Sequence, residues 1–591
     1  MTSATDTYVL LRAFVDELAR CGMRAACTTP GSRCAPLVLS LAREPCLRCY
    51  SHVDERCAGF FALGLAKASG LPVAVACTSG TAAAELLPAA IEAHEARVPL
   101  LLLTADRPPE LREVGAGQAI DQLKLYGSAA KWFFDVGTHD ASARSLAWIR
   151  TLACRAYATA LEGRRGVVHL NFALREPLVP DETLPHDDSG RPDGRPFVLR
   201  ARARAADAAG EAAESLAGLV ADARRGVIVA GREERLARPG ERSVAELSAE
   251  LAARAGWPLL ADPLSHARRG DAAIAHYDAT LRSAQFRAQV EPDLVLRVGD
   301  LPTSKPLRTW LAGLRGVRQV ALDAEGAWQD PDAVLSESIA LDGRAALAAA
   351  LAAAERAEDE WLALWRSADE RAAEAILATL DAHDLSEPAV AAELGVLLPP
   401  ASTLFVSSSM PVRDIESFWP AREDPPRVLC NRGANGIDGV VSSAFGAAAA
   451  TEGTTVLLVG DVALAHDIGG LLAASRLGVA LVIVLVDNRG GGIFDFLPVA
   501  RAKLARMPDP HERDGEDIYT RHVATPTGLD FAAAAGLYGL AYERARDVQD
   551  FRGALERALA TGGATIIHVL GERERNARLH DELWDAVARA L

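Results

Sequence analysis

One stretch, residues 455–494, constrains the fold more than any other: TVLLVGDVALAHDIGGLLAASRLGVALVIVLVDNRGGGIF. Its two apolar runs, 456–459 and 482–486, have the length of buried strands and close on polar pairs, Gly460-Asp461 and Asp487-Asn488. A helix-like segment, 467–477, lies between them. Strand, crossover helix and second strand make a right-handed βαβ unit, which binds ligands outside the carboxyl ends of its strands. Asp461 offers a hard carboxylate oxygen there and Asn488 a carbonyl oxygen. Gly490, Gly491 and Gly492 let bare backbone approach an anion. Oxygen ligands beside a phosphate-sized space suit Mg²⁺, which binds through one or two carboxylates plus ligand phosphates. Gly-Asp after a strand is ordinary turn chemistry. Two polar breaks at successive strand ends, the second running into a glycine triplet, favour the binding reading.

The same alternation fills the chain. Residues 1–183 carry strand-like runs at 24–28, 47–52, 73–77, 98–103 and 167–171, with helical patterns at 14–20 and 58–68. Residues 180–196, PDETLPHDDSGRPDGRP, have almost nothing to bury and mark a boundary by composition. A central α/β part, 197–350, has runs at 226–230, 259–261, 294–298 and 317–322 but no GxGxxG fingerprint, so a dinucleotide site there is weakly supported. The Ala-rich 344–380 has the composition of a long helix or helix pair. Residues 385–591 are α/β again, with further runs at 404–406, 428–430 and 564–570. The expected fold class is α/β, three consecutive doubly wound parallel-sheet domains.

Length alone sets a prior of about three to five domains. No run of about 18 uncharged apolar residues occurs, so no membrane insertion is expected. The N-terminus lacks a signal-peptide pattern, which points to the cytoplasm. Nine cysteines include one CxxC, Cys46 and Cys49, without a second pair to complete a zinc site; free thiols are the expected state. A net charge of −16 argues against a nucleic-acid partner and makes local clusters of cations noteworthy, because the overall field repels anionic substrates.

The segment HVDERCAGFFALGLAKASGLPVAVACTSGTAAAELLPAAIEA, with Glu55 just past a strand end, resembles the pyrimidine-binding domain of thiamine diphosphate enzymes. The pair Asp461 and Asn488 resembles that family's metal-diphosphate motif, with Gly460-Asp461-Val462 where GDG is usual. The resemblance implies a pyrimidine-binding domain at 1–183, a central domain at 197–350 and a diphosphate- and metal-binding domain at 385–591. It also implies thiamine diphosphate with Mg²⁺ or Mn²⁺ held by Asp461, Asn488 and Gly490. Gly460, Ser409 and Ile437 would contact the cofactor, Ile437 propping it into its V shape. Glu55 would hydrogen-bond the aminopyrimidine N1′, positioning a cofactor that carries the carbanion chemistry.

Six further segments, TPGSRCAPL (29–37), TADRPPEL (104–111), GAGQAIDQ (115–122), SSSMPVRD (407–414), NRGANGIDG (431–439) and NRGGGIFDFLP (488–498), resemble the branch of the family that decarboxylates 2-oxoglutarate and adds the remaining succinyl unit to isochorismate in menaquinone biosynthesis. Both substrates are dicarboxylates, and arginine's planar fork holds a carboxylate bidentately. By that pattern Arg413 and Arg432 would hold 2-oxoglutarate. Ser32, Arg33, Arg107 and Lys305 would face isochorismate, and Gln118 would orient an intermediate by hydrogen bonding. Lys305 is followed by Pro306 where relatives often carry a second cation. His466 and Asp467 are read as loop-fixing residues. In this family the glutamate domain of one subunit faces the diphosphate domain of another, which implies a homodimer or a dimer of dimers. A pyruvate-using enzyme of the same family and a catalytically silent homologue are the competing readings.

Overall fold

The computed structural model describes residues 3–179, 185–200, 207–237, 240–356, 359–511 and 515–591. Three sheets account for the strands, and every ladder within them is parallel. The first contains β1 (Ala25–Thr28), β2 (Arg48–Ser51), β3 (Val73–Cys77), β4 (Leu100–Asp106), β5 (Ala130–Asp135) and β6 (Val167–Ala173), in the order β2-β1-β3-β4-β6-β5. The second contains β7 (Gly226–Ala230), β8 (Leu259–Ala261), β9 (Leu294–Val298), β10 (Arg318–Leu322) and β11 (Glu337–Ile339), in the order β11-β10-β9-β7-β8. The third contains β12 (Thr403–Val406), β13 (Arg427–Cys430), β14 (Thr455–Gly460), β15 (Val482–Asp487), β16 (Ala541–Ala545) and β17 (Thr565–Leu570), in the order β13-β12-β14-β15-β17-β16. The first and third sheets therefore repeat one topology. In each, strand order reverses beside the first strand, which puts a binding crevice at the carboxyl ends of β1 and β3 and of β12 and β14.

Both faces of these sheets are buried, which is why their central strands are continuous apolar runs rather than alternating ones. In β7, Ile228 and Ala230 enter one core cluster while Val227 and Val229 enter another. In the third sheet, Leu404, Val406, Val456, Leu458, Val482, Val484 and Val486 share one core, and Phe405, Leu457 and Ile483 on the alternate positions are fully buried as well. Each such side chain contributes about 1.5–3 kcal/mol through burial.

The backbone groups into two compact units. One comprises Met1–Ala203, Asn431–Glu452 and His466–Leu481; the other comprises Arg204–Cys430, Gly453–Ala465 and Val482–Leu591. In the first unit the helix Glu55–Ser69, capped by the Asp54 side chain on the Cys57 N–H, runs against the helix Val440–Ala450. Glycines allow backbone contact there: a Cβ on Gly64 would stand 1.9 Å from the Ser443 carbonyl oxygen, and one on Gly446 2.0 Å from that of Phe61.

One local expectation, the crossover after β14, is corrected, and others are sharpened. The crossover after β14 is not one helix over 467–477 but a helix Asp461–His466, a 3₁₀ turn Ile468–Leu471 and a helix Leu472–Leu477. The break follows from Asp467, which turns inward to accept the Ser442 N–H at 2.7 Å, and from Gly470, where a Cβ would meet Ser442 Oγ at 2.6 Å. The Ala-rich 344–380 resolves into two helices, Gly343–Ala353 and Asp359–Asp381. Within the expected boundary 180–196, residues 180–184 lie outside the described residues. Its remainder is pinned rather than free. The fully buried Arg150 donates to Asp187 at 2.7 Å and to Ser189 Oγ at 2.9 Å, and Arg20 donates to the Arg191 carbonyl at 2.8 Å. Among the described residues no helix is long and apolar enough to cross a membrane.

Candidate active site

The strongest site chemistry lies at the carboxyl ends of β14 and β15. Asp461 follows β14 directly and is 2% exposed; Asn488 follows β15 and is 6% exposed. The Asn488 side chain donates from Nδ2 to Glu387 Oε1 at 2.8 Å, which turns its oxygen the other way. Among the described residues, neither Asp461 Oδ2 nor Asn488 Oδ1 has a hydrogen-bond partner. Leaving a buried polar atom unpaired costs about 1–3 kcal/mol, and a ligand at these two neighbouring strand ends would satisfy both oxygens. Burial, with the Asp487 charge second, raises the Asp461 carboxyl to about 7, while the backbone N–H groups of Val462 and Gly490 pull against that rise. A carboxylate oxygen, an amide oxygen and an adjacent glycine backbone are the donor set of a hard divalent cation bridging to phosphate. The residues present fit Mg²⁺ or Mn²⁺.

Gly490 is a glycine for steric reasons. Its φ is +137°, a Cβ would stand 2.6 Å from the Ala524 carbonyl oxygen, and that same carbonyl accepts the Gly491 N–H at 2.6 Å. Gly490→Ala is expected to cost about 1–3 kcal/mol of stability through backbone strain and to weaken metal-dependent cofactor binding. Thermal unfolding and a cofactor titration at several Mg²⁺ concentrations would check both effects; wild-type behaviour in each would show that the loop needs no glycine here.

Ser409 and Arg413 follow β12, the neighbour of β14. Ser409 is in the left-handed region at φ +76° and is half-buried, and its carbonyl accepts from Arg413 Nη1 at 2.5 Å. Lys305 is exposed at the start of the helix Lys305–Gly313, capped by Ser304, whose hydroxyl donates to the buried Asp278 at 2.6 Å. Pro306 sits in the first turn of that helix, where its missing N–H costs nothing.

In the other unit, the ends of β2, β1 and β4 present Glu55, Ser32 with Arg33, and Arg107. Glu55 is half-buried at the first position of its helix, and Ser32 is exposed. Arg33 is buried; it donates to the Leu174 carbonyl at 2.8 Å and to Glu176 at 2.9 Å. The Glu176 side chain is 71% exposed, and such a pair contributes no more than about 1 kcal/mol, so a substrate carboxylate could exchange for it. Arg107 bonds Ser79 Oγ, and burial, with the Arg33 charge second, lowers its pKa. The two guanidiniums thus lie close enough to act on one another. Gln118 is exposed and left-handed, φ +54°, in a loop fixed by a residue that sequence reasoning did not single out. Gln122, 1% exposed, accepts the Gly80 N–H at 2.9 Å and donates to the Ala105 carbonyl at 3.1 Å and to Asn171 at 2.9 Å.

Arg432, Ile437 and the loop between them are half-buried or exposed. The loop is held by a second residue that the sequence did not flag. The Glu92 carboxylate accepts the Gly433 N–H at 2.8 Å and the Ala434 N–H at 2.6 Å. Glu92 is buried, and the fully buried Lys67 approaches it to 3.9 Å. Asp467 accepts from Ser442 and has Arg56 at 3.7 Å.

Parallel sheets repeating one topology, with unpartnered acceptors at two neighbouring strand ends, define an α/β protein of the ligand-binding, doubly wound class. Three family models match: "Thiamine pyrophosphate enzyme, N-terminal TPP binding domain" over residues 10–125, "Middle domain of thiamine pyrophosphate" over 207–406, and "Thiamine pyrophosphate enzyme, C-terminal TPP binding domain" over 412–569. A 2-succinyl-5-enolpyruvyl-6-hydroxy-3-cyclohexene-1-carboxylate synthase from Geobacillus thermodenitrificans is 43% identical, covering 100% of this chain and 98% of its own. Proteins of the same name from Chloroflexus aurantiacus and Listeria innocua are 41% and 39% identical, each over 98% of this chain and 96% and 97% of their own. The chain belongs to the 2-succinyl-5-enolpyruvyl-6-hydroxy-3-cyclohexene-1-carboxylate synthase family of thiamine pyrophosphate enzymes.

Proposed function

We propose that this protein decarboxylates 2-oxoglutarate and joins the remaining succinyl unit to isochorismate, giving 2-succinyl-5-enolpyruvyl-6-hydroxy-3-cyclohexene-1-carboxylate for menaquinone biosynthesis in the cytoplasm. The observation that carries this reading is the unpartnered oxygen pair of Asp461 and Asn488, in a chain related over its full length to synthases of that name. Bound thiamine diphosphate supplies the carbanion chemistry. Asp461, Asn488 and the Gly490 backbone hold Mg²⁺ or Mn²⁺, and Gly460, Ser409 and Ile437 contact the cofactor. Glu55 would hydrogen-bond the aminopyrimidine N1′ and so orient the cofactor. Arg413 and Arg432 take the carboxylates of 2-oxoglutarate. Ser32, Arg33, Arg107 and Lys305 take isochorismate, and Gln118 orients the reacting groups. The pyrimidine-binding role falls to 1–183, the diphosphate role to 385–591, and 197–350 lies between them.

Thiamine diphosphate-dependent CO₂ release from 2-oxoglutarate, with and without isochorismate, tests the reading. Release from pyruvate instead would select another 2-oxoacid enzyme, and no release at saturating cofactor and Mg²⁺ would select a silent homologue. The shared-site reading makes a separate prediction. Mixing inactive Glu55→Gln chains with inactive Asp461→Ala chains is expected to restore activity, because half of the sites in a heterodimer then carry both intact residues. Continued inactivity after confirmed subunit exchange would rule out a site shared between subunits.

A further inference from the structure

Asn488 presents a ligand problem that the metal reading leaves unsolved. Its amide has an acceptor end, Oδ1, and a donor end, Nδ2, of nearly the same size. Only the oxygen can bind a hard cation, and a half-turn about the last side-chain bond would present the nitrogen instead. Something in the protein must choose. We propose that Glu387 is a positioning residue whose carboxyl oxygen fixes the Asn488 amide with Oδ1 facing the metal. This inference rests on the metal reading above.

Three observations support it. Glu387 Oε1 lies 2.8 Å from Asn488 Nδ2, and an acceptor there is satisfied only by the nitrogen. Were the amide reversed, its oxygen would face Glu387 Oε1 at that distance inside the protein, a pairing that the carboxylate cannot satisfy and that only a protonated carboxyl could. Second, the backbone closes over the nitrogen: a Cβ on Gly492 would come within 2.6 Å of Nδ2, so residue 492 brings no side chain to compete for it. Third, Glu387 is itself fixed. It is 6% exposed and opens the helix Glu387–Leu397, whose cap Ser386 accepts the Ala389 N–H at 3.4 Å. Its charged neighbours are Asp414 and His580, themselves paired at 3.0 Å, and Asp461. An acidic side chain buried among other acids has no stability rationale of its own. Orienting a metal ligand gives it one, as outer partners do for metal-bound histidines.

The test is Mn²⁺ uptake by the full-length protein at saturating thiamine diphosphate, read from the loss of the free-ion electron paramagnetic resonance signal. Glu387→Met fills the space but removes the acceptor, and it is expected to raise the apparent Mn²⁺ Kd by about 10–100-fold. Glu387→Gln keeps an acceptor oxygen of the same reach and is expected to stay within about threefold of wild type. That contrast separates positioning from charge, because a long-range field from the carboxylate would be lost equally in both variants. Wild-type affinity in Glu387→Met, or a loss in Glu387→Gln as large as in Glu387→Met, overturns the inference. Should Glu387→Met not fold, Glu387→Leu makes the same comparison. Asp461→Asn serves as the control for the underlying reading: if it binds Mn²⁺ as tightly as wild type, the metal site itself is misplaced, whatever residue 387 does.

Discussion

Glu55→Gln is expected to lower thiamine diphosphate-dependent CO₂ release from 2-oxoglutarate by about 10²–10⁴-fold, the range set by removing a positioned acid–base group. The substitution preserves shape and helix position. Glu55 opens the helix Glu55–Ser69 one residue after its cap, and the cap bond from the Cys57 N–H to Asp54, 3.1 Å, does not involve it. Stability should therefore move by no more than about 0.5 kcal/mol, as for a residue outside the core. An amide cannot hold or release the proton that a carboxylate can, so the loss should fall on turnover rather than on Mn²⁺ uptake at the Asp461 site. CO₂ release measured alongside thermal unfolding and metal uptake checks all three. Release within a few-fold of wild type would remove Glu55 from the chemistry and leave it a helix-start residue.

What the sequence disclosed, and what it did not, follows from the range of the interactions involved. Strands with both faces buried were legible because they are unbroken apolar runs; β3, β7 and β9 match the expected bounds residue for residue. Three edge strands were not, although β2, β8 and β13, at the opposite margins of the same sheets, fell on expected runs. β5, β11 and β16 sit at sheet margins and carry AKWFFD, ESI and AYERA, whose polar residues interrupt any run. Asp461, Asn488 and Gly490 could be placed at strand ends because strand and turn are neighbours along the chain. Glu387, Glu92 and Gln122 could not. Each works through a partner distant in sequence, 488, 433 and 80 respectively, and only the fold pairs them. For Gln122 there was a faint signal, since it closes the segment GAGQAIDQ that also carries Gln118. Glu387 had none beyond being an acid at a helix start, which is usually a dipole effect.

The Asp461 site carries a stability cost that a bound cation would offset, and this makes the second large prediction unusual in sign. Asp461→Asn is expected to abolish metal-dependent cofactor binding, and with it activity, while making the metal-free protein more stable at neutral pH by about 1–3 kcal/mol, because it removes a carboxylate charge held inside the protein. The sign follows from linkage. Burial raises the Asp461 carboxyl from 3.8 to about 7 in the folded chain, so below pH 4 both folded and unfolded chains carry the proton and no penalty arises. As pH rises from about 4 to about 7, the unfolded chain gives up that proton more readily than the folded one, and stability falls. Above about 7 the full penalty stands. An asparagine keeps an oxygen for the Val462 and Gly490 N–H groups and carries no charge, so its advantage over wild type should grow across that interval and level off beyond it. Added Mg²⁺ with thiamine diphosphate should reverse the ranking, since only the wild-type carboxylate gains the ion's attraction. Denaturant unfolding of both proteins at pH 5 and pH 8, with and without the ligands, reads every element of this. A wild-type protein that is the more stable of the two at pH 8 without metal would mean that Asp461 is already satisfied by the protein, and the case for a cation at the carboxyl ends of β14 and β15 would fail with it.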